Sequence, residues 1–194
     1  MIFDYHIVLS GIGIAVAALR YILYFRDINR GTVKPHVFSW FLWGLLTGII
    51  FVAQFVSGAG PAAWVAGFVT VACFGISVFA FYKGSTDIVA SDWVCLVGAL
   101  GAIGLWQLTS NPLAAVIIVM IADGISYIPT YRKSFHKPYE ESASGFALAA
   151  SRSVFALAAL ESFATVNWIH TAFLIFADGG CAVFLWIRRK QLKA

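Results

Sequence analysis

Six ionisable residues lie inside stretches that are otherwise apolar: Arg20, Asp92, Asp123, Arg152, Glu161 and Asp178. A charge in such surroundings is costly unless it is paired, protonated or turned to water, and it marks places where ions or solutes are handled. Three of the six share a depth. Asp123 lies nine residues before Arg132, Arg152 eight after Ser144, and Asp178 ten before Arg188. At about 1.5 Å per residue, each sits roughly 10–15 Å from the basic end of its helix. One arginine opposite two aspartates can neutralise one carboxylate and leave the other to exchange a proton or hold a cationic solute. The same trio can equally form a static ion pair that fixes helix packing.

The residues around the trio extend a polar face. Asp123, Tyr127 and Thr130 fall at i, i+4 and i+7, on one side of a helix. Trp40 and Trp43, at i and i+3, offer rings on which a solute can stack; anchoring at the membrane interface is the alternative. Arg20 and Asp92 lie within about two turns of the basic surface. With Pro129 they are the candidates for a gate, and for Arg20 and Asp92 snorkelling to the surface is the plainer reading. Glu161, Gln54 and Gln107 read as hydrated rim residues at the opposite ends.

The elements that must position these groups follow from composition. The chain has 194 residues, is 61% hydrophobic and only 11% charged, with a mean hydropathy of +0.86. Soluble domains carry roughly 25% charged residues, so an integral membrane protein is expected. Seven apolar spans approach the roughly 20 residues needed to cross a bilayer: Ile7–Phe25, Val37–Val56, Ala62–Tyr82, Ile88–Leu108, Pro112–Tyr131, Ser144–Phe163 and Val166–Ile187. Pro35, Pro61 and Pro112 stand where helices begin, and Ser142 and Ser144 can cap the sixth.

Seven spans gather Arg26, Arg30, Lys34, Lys83, Arg132, Lys133, Lys137, Arg188, Arg189, Lys190 and Lys193 on one side and place no Lys or Arg on the other. The positive-inside rule then puts the N-terminus outside and the C-terminus in the cytoplasm. No cleavable leader is visible, so the first helix is expected to be retained. The net charge of +4 is a helix-end pattern and does not suggest nucleic acid. Cys73, Cys95 and Cys181 form no pairing framework.

The chain also repeats. One offset carries Tyr21-Ile22 onto Tyr127-Ile128 and Arg26 onto Arg132, and a nearly equal one carries Val78-Phe79 onto Val183-Phe184. Both first loops reach Lys-Pro, at Lys34-Pro35 and Lys137-Pro138. Three helices, a linker and three helices make two parallel halves, an architecture of transporters whose site lies between repeats. The expected units are 1–86, a linker helix at 87–109, and 110–194.

On these residues the chain resembles the SWEET and PQ-loop superfamily of seven-helix membrane proteins, in an uncharacterised bacterial subgroup. Pro129-Thr130 stands where members carry Pro-Gln, with Leu23-Tyr24 in the first half; Asp178-Gly179-Gly180 resembles the aspartate and glycine pair of cystinosin-type members. Ala72-Cys73 and Asp178 replace the asparagines usual in sugar-transporting members. The resemblance implies alternating-access transport of a small polar solute in a bacterial inner membrane, as a facilitator or coupled to protons. A receptor or accessory subunit holding a partner, as KDEL receptors do on a related fold, is the alternative.

Other chemistry is weakly encoded. His6 and His170 both read as near the outer surface, where two axial histidines can hold haem, but no CxxCH accompanies them. His36 and His136 read as solvated loop residues. Nucleotide, metalloprotease and serine-hydrolase motifs are missing. No enzyme activity, cofactor or metal is expected; a homo-oligomer is compatible with the sequence.

Overall fold

Four of the helices begin where a side chain caps the first turn. The computed structural model describes residues 4–31, 35–83, 90–136 and 138–192, except the side chains at 91, 92, 95, 99, 102, 125, 126, 128, 129, 132, 133 and 140. Among these residues are seven α-helices: α1 (Tyr5–Asn29), α2 (Val37–Val56), α3 (Ala63–Lys83), α4 (Ala90–Thr109), α5 (Pro112–His136), α6 (Ala143–Ala158) and α7 (Thr165–Gln191). The Asp4 carboxylate accepts the His6 N–H at 2.9 Å and opens α1. The Asn111 side chain accepts the Leu113 N–H at 3.0 Å, with Pro112 first in α5. The Ser142 hydroxyl accepts the Gly145 N–H at 3.0 Å and caps α6 as expected. His36, expected to be solvated, instead caps α2: its Nδ1 accepts the Ser39 N–H at 3.2 Å. His136 is exposed and is the last residue of α5.

One helix is shorter than its apolar run. The sixth span was expected to reach Phe163, but α6 stops at Ala158. Ala159 and Leu160 turn aside and pack with Ala59, Ala62 and Ala63 of the α2–α3 turn, and the Glu161 N–H donates to Ala59 O at 3.2 Å. Gly60 makes this contact available: its φ is +67°, and a Cβ there would collide with the Glu161 side chain. Apolar continuity thus misreads a buried turn as more helix.

The helices pack by a repeated scheme. α3 packs against both α1 and α2, and α7 against both α5 and α6. Between these groups α1 meets α6 and α2 meets α5, while α4 lies on α5 and α2. Gly13 lets α1 approach the α6 backbone closely at Arg152, and Gly44 seats against Phe74 across the α2–α3 contact.

Side-chain contacts fix which ends coincide. At one end His6 Nδ1 lies 3.1 Å from Ala159 O, and Asn167 Nδ2 donates to Ser57 O at 3.1 Å. At the other, Lys83 Nζ donates to Asn29 Oδ1 at 3.3 Å, Ser77 Oγ to Val37 O at 2.9 Å, and Arg189 Nε to Pro138 O at 3.0 Å. Phe38 and Trp93 touch at that second end too. The basic residues of the described loops and helix ends gather there.

Among the described residues, almost all of them helical, four helices are long and apolar enough to cross a membrane: Tyr5–Asn29, Val37–Val56, Gly60–Lys83 and Thr165–Gln191. α6, at 16 residues, is shorter than these. Val71, Phe81, Leu108 and Phe176 each present more than two thirds of their surface outward. An apolar exterior of this kind suits a hydrocarbon surround.

Candidate functional site

The polar side chains of α5 and α7 meet in two rungs. His170 Nε2 lies 2.8 Å from Asp123 Oδ2. One helical turn along α5, the Tyr127 hydroxyl donates to Asp178 Oδ1 at 2.7 Å. His170 and Asp178 are both buried, and Asp123 is partly so. The α5 stripe read from spacing faces α7 because α7 carries its own polar face. Asn167, His170, Thr171, Asp178, Cys181 and Leu185 are buried on one face of α7, with His170 and Thr171 adjacent and about two turns between Thr171 and Asp178. Gly180 lets the helices close: a Cβ there would stand 2.8 Å from the Tyr131 hydroxyl.

Arg152 enters the same layer from α6. It is 8% exposed, and its Nε has no hydrogen-bond partner among the described residues. Asp178 is within electrostatic range of Arg152 first and Arg20 second, but no ion pair within 4 Å joins Arg152 to a carboxylate among the described residues. Tyr21 and Cys73 also feel both arginines, and Cys73 feels Asp123. The layer therefore draws on α1, α3, α5, α6 and α7. The expected trio of Asp123, Arg152 and Asp178 shares it, but each aspartate takes its short hydrogen bond from another side chain.

The remaining candidates divide. Trp40 is 6% exposed and packs among Tyr21, Tyr24 and Trp43, its Nε1 donating to the Tyr24 hydroxyl at 3.2 Å. Its ring belongs to the core, while Trp43 is 41% exposed. Thr130 is half-buried on α5. Arg20 is half-buried, with its guanidinium carbon 5.6 Å from the Tyr21 ring centre, and it faces the Asp178 charge. The Asp92 and Pro129 side chains lie outside the described residues, as therefore does a gate built on them.

Two residues depart from their expected places. His170, read as an outer-surface residue, is 3% exposed and holds Asp123. Counting from the end of α7 measured its depth along the axis and missed the face it occupies. Gln54, read as a hydrated rim residue, is also 3% exposed. Its Nε2 donates to Asn167 O at 2.8 Å and Thr171 Oγ1 at 3.1 Å, tying α2 to α7. Glu161 and Gln107 are exposed as expected. The three-and-four spacing of Asn167, His170 and Thr171 was the available signal for the α7 face.

A separate open groove of about 460 Å³ lies between α2, α3 and α4, lined by Gly48, Phe74, Ile103, Trp106 and Gln107 among others. It is almost wholly apolar and contains none of the charged residues. No group of three or more His, Cys, Asp and Glu among the described residues is arranged to hold a metal ion. No protein-family model matches the chain, and no curated protein or solved structure matches it either.

Proposed function

We propose that the protein is a seven-span, three-plus-one-plus-three membrane transporter that moves a small polar solute by alternating access, coupled to protons. In this reading it has the SWEET and PQ-loop arrangement, N-terminus outside and C-terminus inside, in a bacterial inner membrane. The single observation that carries the reading is the buried layer in which Asp123–His170 and Tyr127–Asp178 stand beside Arg152. A static packing bridge needs one carboxylate and one cation with their bonds satisfied. This layer instead holds two carboxylates, a histidine able to carry a proton and a guanidinium nitrogen without a partner. The matched packing of α1 on α6 and α2 on α5 supports a site between two halves.

The test is uptake of a mixed panel of labelled polar solutes into proteoliposomes, with and without a pH gradient. Flux that the gradient accelerates, and that Asp123→Asn and Asp178→Asn abolish, supports the proposal. Flux unchanged in both variants sinks it. A stoichiometric co-purifying protein, with no flux of any solute, would support the receptor or accessory role instead.

A further inference from the structure

The charges of the buried layer define what it can take up. Arg20 and Arg152 both face Asp178, and the layer sets these two guanidinium groups against two carboxylates, Asp123 and Asp178. One proton added to the Asp123–His170 pair leaves a single positive excess. That excess has a location. The carboxylates of both rungs are engaged, Asp123 by His170 and Asp178 by the Tyr127 hydroxyl. Arg152 is more than nine-tenths buried, with Nε unpartnered and no ion pair among the described residues. A buried guanidinium left in this way is costly, and its planar fork matches a carboxylate in two-point contact.

From this we infer that the solute is a small monocarboxylate seated on Arg152, taken up together with one proton held by Asp123–His170; the inference rests on the transport reading above. Binding breaks no covalent bond. The carboxylate exchanges its water shell for the Arg152 guanidinium, and one proton passes from water to the pair, so the layer stays neutral when loaded. A phosphate monoester, with about 1.5–2 negative charges, would leave it negative. The described groups facing Asp123 of the pair are Cys73 on α3, Tyr127 on α5 and Asp178 on α7, and Arg152 on α6 and Arg20 on α1 face Asp178 in turn. From α2 the described neighbour on α7 is the neutral Gln54.

The experiment uses the purified full chain in detergent. Acetate, lactate and benzoate are compared with acetamide, lactamide, benzamide and inorganic phosphate, by shift in Tm and by proton uptake in weak buffer. The expected result is that at least one carboxylate raises Tm while its amide and phosphate do not, with one proton taken up per carboxylate bound. Arg152→Gln loses the shift; Arg152→Lys, which keeps the charge and loses the fork, retains a reduced one. Asp123→Asn keeps a weaker shift without proton uptake. Equal shifts from carboxylate and amide, or binding without proton uptake in the unsubstituted chain, overturn the carboxylate assignment. Transport of a neutral solute that depends on Asp123 and Asp178 would then leave the transport reading standing. No shift from any probe, with no flux of any solute in proteoliposomes, overturns both.

Discussion

Asp123 on α5 and His170 on α7 share a 2.8 Å contact in the interior of the helix bundle, one α5 turn from the Tyr127–Asp178 hydrogen bond. The contact makes the two helices a single unit at this depth. It also gives the carboxylate a partner that can take a proton without leaving an unpaired buried charge. Replacing His170 with Gln keeps a hydrogen-bond donor and removes the imidazole. The expected outcome is a protein that melts within about 1–2 kcal/mol of the parent and in which a pH gradient no longer drives solute uptake. Flux with and without the gradient, measured on one preparation, checks it.

Tyr127→Phe removes the only hydroxyl that an α5 side chain donates to Asp178 among the described residues. A buried carboxylate that loses a donor costs about 1–3 kcal/mol. The variant should have a lower Tm than the parent, and Tyr131→Phe, further along the same helix, should lose less. Thermal melts of both in one detergent make the comparison.

Gln54 bridges α2 to α7 through Asn167 O and Thr171 Oγ1. Gln54→Leu leaves both acceptors buried without that amide and should destabilise by about 1–3 kcal/mol. Gln107→Leu changes an exposed side chain at the groove rim and should fall within about 0.5 kcal/mol of the parent. Equal effects of the two substitutions would contradict the structural role given to Gln54.

Topology has its own test. With Cys73, Cys95 and Cys181 replaced by Ser, a cysteine at Ser162 should react with a membrane-impermeant maleimide on intact cells. One at Gln191 should react only after permeabilisation. The reverse pattern would invert the orientation derived from the basic residues.

How much of this was legible in the sequence differs from residue to residue. Val37–Val56 was read to the residue, because a proline and a run of turn residues bound it and nothing apolar continues past either end. The end of α6 was not legible, since Ala159 and Leu160 look the same to a hydropathy window in a helix or in a turn buried by Ala59 and Ala62. Asp123, Tyr127 and Asp178 were found because charge and spacing in an apolar run are conspicuous. His170 and Gln54 were not, because distance from a helix end says how deep a residue lies and not which neighbour its face meets. Arg152 was found, and it stands within electrostatic range of Asp178 without a short ion pair to a carboxylate among the described residues. Depth matching brought three charges together and could not tell that His170 and Tyr127 would reach the carboxylates first.

The central claim is that the buried layer binds solute and proton together, and one measurement tests it most directly. Proteoliposomes loaded at neutral pH are given an inward proton gradient, and labelled solute is followed inside. The account predicts accumulation above the external concentration in the parent protein. In Asp123→Asn it predicts exchange of label without accumulation. Accumulation of equal size in the parent and in Asp123→Asn would contradict it.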